Sequence, residues 1–187
     1  KKFFSSIEGL QEVHSKSANV AAMYTLIDPL FTPVDRAFKF ASELPPEGED
    51  ASLIYINWFK SDNEHNSLIE WDEDEECYYR YMLPNGKEQI YEDSDTQNPI
   101  TFNNVIIQAV DGEWVQTAAF LPTVLGSGNA DIFIGGKHIA GVWNREALNA
   151  PTVFYDANGQ EVSMQPGRTL IVLMDYNTDG RSVSYEE

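Results

Sequence analysis

The spacing of apolar residues differs between the two parts of the chain that meet near residue 50. In the first part, apolar side chains recur three and four positions apart, at Phe3, Phe4, Ile7 and Leu10. This spacing predicts a short amphipathic helix. A second short helix is predicted over residues 26–31, with Thr25 as its N-cap and with Pro29 and Pro33 limiting its length.

From Ala51 onward, β-branched and aromatic residues form short runs separated by turn residues, which is typical of antiparallel sheet. The predicted strands cover residues 53–59, 67–71, 78–82, 88–91, 104–110, 115–121, 131–134, 137–142, 152–155, 160–164, 169–174 and 182–185. The pair Asn85-Gly86 predicts a tight hairpin between residues 78–83 and 88–91, because both residues tolerate positive φ. Turns recur roughly every 8–12 residues, the spacing of a sandwich or a partly open barrel.

These patterns predict an α+β fold that is mainly β. We expect an antiparallel sheet sandwich or a partly open barrel, with one or two short N-terminal helices. Residues 51–187 would form the β domain. Residues 1–50 would be a short helical or irregular segment packed on the sheet, because so short a segment cannot bury an apolar face of its own.

Composition narrows the range of partners. Twelve basic and thirty acidic side chains among 187 residues give a formal charge of 12 − 30 = −18, which repels nucleic acid and anionic membrane surfaces. The single Cys77 excludes an internal disulfide and a zinc site built on several thiolates.

No apolar run approaches the roughly 20 residues of a membrane span. Because the chain begins at Lys1 without a leader, we expect it to be a processed fragment.

A set of ordered motifs resembles one known family. The motifs include Trp71-Asp72, Tyr78-Tyr79-Arg80, the run from Gly126 to Phe133, Gly141-Val142-Trp143-Asn144-Arg145, and Pro166-Gly167-Arg168-Thr169. Together they resemble the C-terminal part of the YerB-like bacterial lipoproteins over roughly residues 50 to 175. The resemblance implies an extracytoplasmic protein with a lipid anchor upstream of this fragment, an absent N-terminal α/β portion, and a biochemical activity that is not established.

One run matches the spacing of a calcium loop. Asp175, Asn177 and Asp179 alternate before Gly180, and Glu186 follows six residues later. Alternate oxygen ligands in a tight loop suit Ca²⁺, which takes six to eight oxygens. Residues 170–174 are predicted to be a strand and not an entering helix, and residues 182–185 to be the return strand of a hairpin. An Asn-Thr-Asp-Gly turn therefore explains the same residues without metal.

No recognisable catalytic set is present. The three histidines lack metal-ligand spacing, and Ser127 lacks the nucleophile elbow. The acidic runs 72–76 and 92–95 could bind a cation or, with the nearby aromatics, a sugar, but solvated loop charge is the favoured explanation of both. A glycan or peptide hydrolase would use two carboxylates held several ångströms apart across a cleft. No cofactor is expected, apart from the Ca²⁺ that the loop at Asp175 allows.

The aromatic residues around the predicted hairpin suggest a binding surface. Tyr78 and Tyr79 are consecutive in a strand and must point to opposite faces, so one of them is expected to be exposed. Trp71, Tyr79 and Arg80 are the candidate contact residues. The family resemblance and the absence of a recognisable catalytic set favour a non-catalytic binding or scaffolding module of the bacterial cell envelope, with an envelope protein or a glycan as the expected ligand. The alternatives are the carboxylate hydrolase and a calcium-stabilised module.

Overall fold

A computed structural model describes residues 4–9, 16–24, 38–43, 48–58, 65–115 and 119–187. The chain divides into two compact units, Lys1–Asp35 and Arg36–Glu187. In the described part, no helix is long and apolar enough to cross a bilayer. The predicted arrangement of residues 1–50 on the sheet stays a prediction.

The first unit contains a small antiparallel ladder followed by a short helix. Strand β1 (Phe4–Ser6) pairs with β2 (Lys16–Ala18), and α1 covers Val20–Tyr24. The helix predicted around Phe4 and Ile7 is therefore wrong. Its apolar spacing extends over fewer than three turns, which is too short for a stable isolated helix, and the Ser5 and Ser17 hydroxyls instead hydrogen-bond across the ladder at 2.7 Å. The helix predicted over residues 26–31 lies outside the described residues.

The second unit contains two six-stranded sheets and one two-stranded sheet. Sheet I has the order β16-β4-β5-β6-β7, with β8 also paired to β6. Its strands are β4 (Leu53–Asn57), β5 (Ser67–Asp72), β6 (Cys77–Met82), β7 (Gln89–Ile90), β8 (Thr101–Phe102) and β16 (Ser182–Glu186). All of its pairings are antiparallel. The predicted pairing across Asn85-Gly86 is confirmed, although a 3₁₀ turn over Pro84–Gly86 connects the strands in place of a two-residue turn.

Sheet II has the order β14-β13-β12-β9-β15, with β3 also paired to β13. Its strands are β3 (Glu49–Asp50), β9 (Asn104–Ala109), β12 (Gly126–Ile134), β13 (Lys137–Arg145), β14 (Val153–Asp156) and β15 (Thr169–Met174). The pairing of β15 with β9 is parallel, and the other strand pairings are antiparallel. The prediction of a mainly β fold with antiparallel sheets is confirmed, with this one parallel pair added.

Apolar side chains of both sheets form one buried cluster. Sheet I contributes Ile54, Ile69 and Tyr78, and sheet II contributes Ile107 and Phe133. The Tyr78 hydroxyl accepts the backbone N–H of Gly136 at 3.0 Å, and burial raises the pKa of Tyr78 despite this hydrogen bond. A second cluster, centred on Trp143, Phe154 and Met164, covers the other face of sheet II. Sheet II is thus buried on both faces.

Two predicted strands are wrong. Strand β10 (Gly112–Val115) pairs antiparallel with β11 (Ala119–Pro122), and the rings of Trp114 and Phe120 lie 5.6 Å apart. Because Val115 pairs with Ala119, the predicted strand over residues 115–121 is not one continuous strand. Residues 160–164 form no continuous ladder, because their backbone groups are divided between two neighbours: Val162 donates to Phe154, and Met164 donates to Lys39.

The segment after β15 is a crossover and not a hairpin turn. Strand β16 pairs with β4 of sheet I, so residues 175–181 carry the chain from sheet II to sheet I. Residues 182–185 do form the predicted strand, but the prediction that this strand pairs with β15 in a hairpin is wrong. Apolar Val183 and Tyr185 give β16 one buried face, which packs on the cluster between the sheets.

Candidate functional site

The hairpin β5–β6 places the three predicted contact residues on two different faces of sheet I. Trp71 is paired with Tyr78, and Ile69 with Arg80, so Trp71 and Arg80 point inward. Tyr79 is paired with Glu70 and points outward. The prediction that Tyr78 and Tyr79 occupy opposite faces agrees with this arrangement, because Tyr78 is fully buried. Tyr79 and Arg80 therefore cannot contact the same small ligand.

Trp71 has a packing role in the structure. Its ring lies 4.8 Å from that of Tyr78, and it packs against the buried cluster between the sheets. A Cβ added to Gly136 would lie 2.7 Å from Cδ1 of Trp71, so the indole sits directly against the turn that connects β12 and β13. Trp71 consequently holds sheet I against sheet II.

The outward residues of β4, β5 and β6 form a regular grid, which we call the outer tyrosine face. One row contains Tyr55, Leu68 and Tyr81, and the next row contains Leu53, Glu70 and Tyr79. Neighbouring strands lie about 4.8 Å apart, and residues two apart along a strand about 7 Å. The three tyrosines are half-buried, while Leu68 beneath them is only 7% exposed. Three phenol rings thus surround one buried apolar side chain, that of Leu68.

The charge on this face is negative. Glu70 is exposed within the grid, and exposed Glu186 continues its row beyond Leu53. Desolvation, followed by the charge of Glu70, raises the pKa of Tyr81. Desolvation and the neighbouring Cys77 and Glu75 raise the pKa of Tyr79. Both phenols therefore remain protonated hydrogen-bond donors at neutral pH.

Sequence reasoning identified Tyr79 but missed Tyr55, Tyr81 and Glu70. Alternation along Cys77–Met82 placed Tyr81 on the same side as Tyr79, and this signal was available in the sequence. The sequence did not predict the position of Tyr55, because this position depends on the register between β4 and β5. Residues 58–66 connect those strands, and their turn residues Ser61, Asp62 and Asn63 do not fix a register across so long a connection.

Arg80 faces inward and has no carboxylate partner among the described residues. Its Nε and Nη2 atoms donate to the Ser67 hydroxyl at 3.2 and 3.0 Å. Its guanidinium lies 4.9 Å from the centre of the Tyr91 ring. Burial lowers the pKa of Arg80, although an arginine stays charged at neutral pH.

The residues of the calcium pattern do not converge on one point. Asp175, Asn177 and Asp179 lie in the crossover, whereas Glu186 is the last residue of β16, opposite Leu53. The Asp175 carboxylate already accepts the Asn177 N–H at 2.9 Å and the Thr178 hydroxyl at 2.6 Å. In the described part of the chain, no three His, Cys, Asp or Glu side chains are grouped closely enough to hold a metal ion. Calcium binding stays a prediction.

One cavity, of about 1020 Å³, is lined in part by the acidic residues Glu43, Glu49, Asp156 and Glu161. Glu49 accepts the Tyr185 hydroxyl at 2.9 Å, and Asp156 accepts two backbone N–H groups of its own turn. His138 is buried beside this cavity, with its Nε2 atom 2.8 Å from Asp131. The carboxylate hydrolase stays a prediction.

Comparison with known proteins now identifies the family. The family model described as "Protein of unknown function (DUF3048) C-terminal domain" matches residues 54–171. The chain therefore belongs to this family of unknown function, and the YerB-like relationship expected from its motifs is confirmed. No curated protein matches the sequence.

A solved structure has the same fold. The crystal structure of the YerB protein from Bacillus subtilis superposes with a TM-score of 0.71 at 17% sequence identity. The match covers 97% of this chain and 59% of that chain. This chain therefore spans less than two thirds of the YerB protein it matches.

Proposed function

We propose that this chain is a non-catalytic binding module of the bacterial cell envelope that binds a neutral or amino-sugar glycan on the outer tyrosine face. The observation that carries this proposal is the two-row grid of Tyr55, Tyr79 and Tyr81 around Leu68 and Glu70. A flat, rigid set of half-exposed rings suits sugar rings, which present apolar C–H faces to aromatic side chains.

The charge of the face defines the class of glycan. Glu70 offers carboxylate oxygens that accept hydrogen bonds from sugar hydroxyl or ammonium groups. The formal charge of −18 repels sulfated and phosphorylated polymers. Neutral sugars and amino sugars are therefore the favoured ligands, and Glu70 gives amino sugars the stronger electrostatic attraction.

The proposed binding is tested by titrating a tetramer of N-acetylglucosamine, its de-acetylated form and a sulfated oligosaccharide in a calorimeter. We expect the first two to bind, the amino form more tightly. Tyr79→Ala and Tyr81→Ala should each weaken binding about tenfold, or about 1.4 kcal/mol. Glu70→Gln should remove the preference for the amino form, because it removes the charge that distinguishes the two sugars.

Tyr155→Ala is the matched control, because Tyr155 is a half-buried tyrosine of sheet II. It should leave glycan affinity unchanged. Equal losses in Tyr155→Ala and Tyr79→Ala would contradict a site on sheet I, and so would the absence of binding at millimolar tetramer. Cleavage of the recovered tetramer, measured by mass spectrometry, would instead support the hydrolase.

We further propose that the protein is extracytoplasmic and anchored to the membrane as a lipoprotein. The resemblance to the YerB-like lipoproteins supports this location. If the proposal is right, protease added to intact protoplasts should degrade the protein, as followed with an antibody against residues 36–187. Protection until the protoplasts are lysed would contradict it. A cytoplasmic marker protein should survive the same treatment and serves as the control.

A further inference from the structure

The inward face of sheet I opens into a cavity of about 350 Å³ next to Arg80. Ser67, Arg80 and Trp58 line one side of this Arg80 cavity, and residues 170–173 of β15 line the other. Most of the lining side chains are apolar, so a ligand group that enters here meets an apolar wall with one guanidinium. Among the described residues, no carboxylate competes for the Arg80 guanidinium, although the chain carries 30 acidic side chains.

Strand β15 is the end strand of sheet II, and its second edge has no strand partner among the described residues. The carbonyls of Arg168 and Met174 accept hydrogen bonds from the β9 side. Peptide groups alternate in direction along a strand, so those of Thr169, Ile171 and Leu173 point away from β9. Three residues thus offer backbone donors and acceptors to an added strand.

This edge lacks the usual protection against strand addition. Edge strands are ordinarily blocked by charged residues, proline or a short length. By contrast, β15 is six residues long, with the sequence TLIVLM and no charge or proline. Its Ile171 side chain is 38% exposed.

We propose that the free edge of β15 and the Arg80 cavity together bind an extended peptide segment of a partner protein, which adds a strand to sheet II and places a carboxylate on Arg80. The backbone of Thr169, Ile171 and Leu173 supplies the main-chain hydrogen bonds. An apolar side chain of the peptide fills the cavity beside Trp58. The carboxylate meets the Nη1 atom of Arg80, which no described residue engages.

Charge complementarity with Arg80 favours a carboxylate over other end groups on the bound peptide. The remainder of the chain repels an anion, but this repulsion is screened beyond about 8 Å at physiological salt. A charge-assisted hydrogen bond inside a partly desolvated cavity is screened far less. Binding of the carboxylate peptide should therefore not weaken with added salt, whereas binding of a cationic peptide to the acidic surface should.

The test uses an N-acetylated pentapeptide of alternating valine and threonine with a free C-terminal carboxylate, and the same peptide as its C-terminal amide. We expect the carboxylate form to bind the 187-residue chain at least tenfold more tightly. Arg80→Gln should make the two affinities equal. Ile171→Pro should weaken both peptides together, because proline removes an outward N–H group from the edge.

Arg168→Gln is the matched control, because Arg168 is an exposed arginine immediately before β15. It should keep the preference for the carboxylate. Loss of the preference in Arg168→Gln but not in Arg80→Gln would overturn the proposal, and so would equal affinity of the unmodified chain for both peptides, or no binding at millimolar peptide. The comparison of the two peptides needs no variant, so it decides the question even if Arg80→Gln does not fold. Tyr79→Ala should not change peptide binding, because Tyr79 points to the opposite face.

Discussion

Replacing Asp175 with asparagine is expected to destabilise the protein by about 3–5 kcal/mol, the usual cost of breaking a buried ion pair. The Asp175 and Arg181 side chains are each only 6% exposed, with Oδ2 and Nη1 4.0 Å apart. Rings of Trp58, Trp114 and Phe120 lie within 5.3–5.7 Å of the Arg181 guanidinium. Asp175→Asn would leave this guanidinium charged and buried beside a neutral side chain. Urea unfolding measures the loss.

A double variant separates the ion pair from other roles of Asp175. Arg181→Met puts an apolar side chain among the three rings, so Asp175→Asn combined with Arg181→Met should be more stable than Asp175→Asn alone. Among the residues that the structure describes, none accepts a hydrogen bond from the Nε atom of Arg181, so its removal frees no further acceptor there. A loss below about 1 kcal/mol in Asp175→Asn would contradict the ion pair as the main contribution of Asp175.

The same variants distinguish this ion pair from a calcium loop. Glu186→Gln is the matched control, because Glu186 is exposed on β16 and belongs to the calcium pattern but not to the ion pair. If the pair with Arg181 is the role of Asp175, Glu186→Gln should leave stability unchanged with or without millimolar Ca²⁺. If the loop binds calcium, Ca²⁺ should raise the melting temperature, and both variants should abolish the rise.

The alternation of residues along each strand was readable from the sequence. It predicted β5 and β6 nearly to their ends, and it placed Tyr78 and Tyr79 on opposite faces. It could not decide which of the two faces inward, since that depends on whether sheet II covers the face that carries Tyr78. For this reason, Trp71 was predicted as a contact residue, although it packs between the sheets.

Connections between strands were the least predictable feature. The crossover after Met174 contains the same turn residues as a hairpin, and only the long-range pairing of Ser182–Glu186 with β4 distinguishes the two. Likewise, β10 pairs with β11, although the three residues between them in the sequence include no glycine, proline or asparagine to mark a turn. The local sequence specifies where strands form, whereas contacts between residues distant in sequence specify which strands pair with each other.

The two proposed binding surfaces lie on opposite faces of one strand. Tyr79 faces the proposed glycan, and Arg80, the next residue, faces the proposed peptide. This arrangement lets the module bind both ligands at once, because sheet I separates the surfaces. Single substitutions at the two positions should therefore affect one ligand each.

Replacing Gly141 with alanine is expected to destabilise the protein by about 3 kcal/mol or more, as overpacking against backbone does. Gly141 lies within β13, opposite Asp156 of β14. A Cβ at this position would lie 2.2 Å from the carbonyl oxygen of Tyr155. No side chain can rotate away to relieve this contact, so β14 must separate from β13. Thermal and urea unfolding measure the loss.

Gly159→Ala is the matched control, because the same substitution meets open space in the turn after β14. Gly159 has φ of +75° and no heavy atom within 4 Å of an added Cβ, so its cost should be only the left-handed conformation, about 1–2 kcal/mol. The difference between the variants isolates the contact with the Tyr155 carbonyl. Equal losses of stability in the two variants would mean that β14 separates from β13 at no cost. The second buried cluster around Phe154 would then not depend on the close approach of these strands.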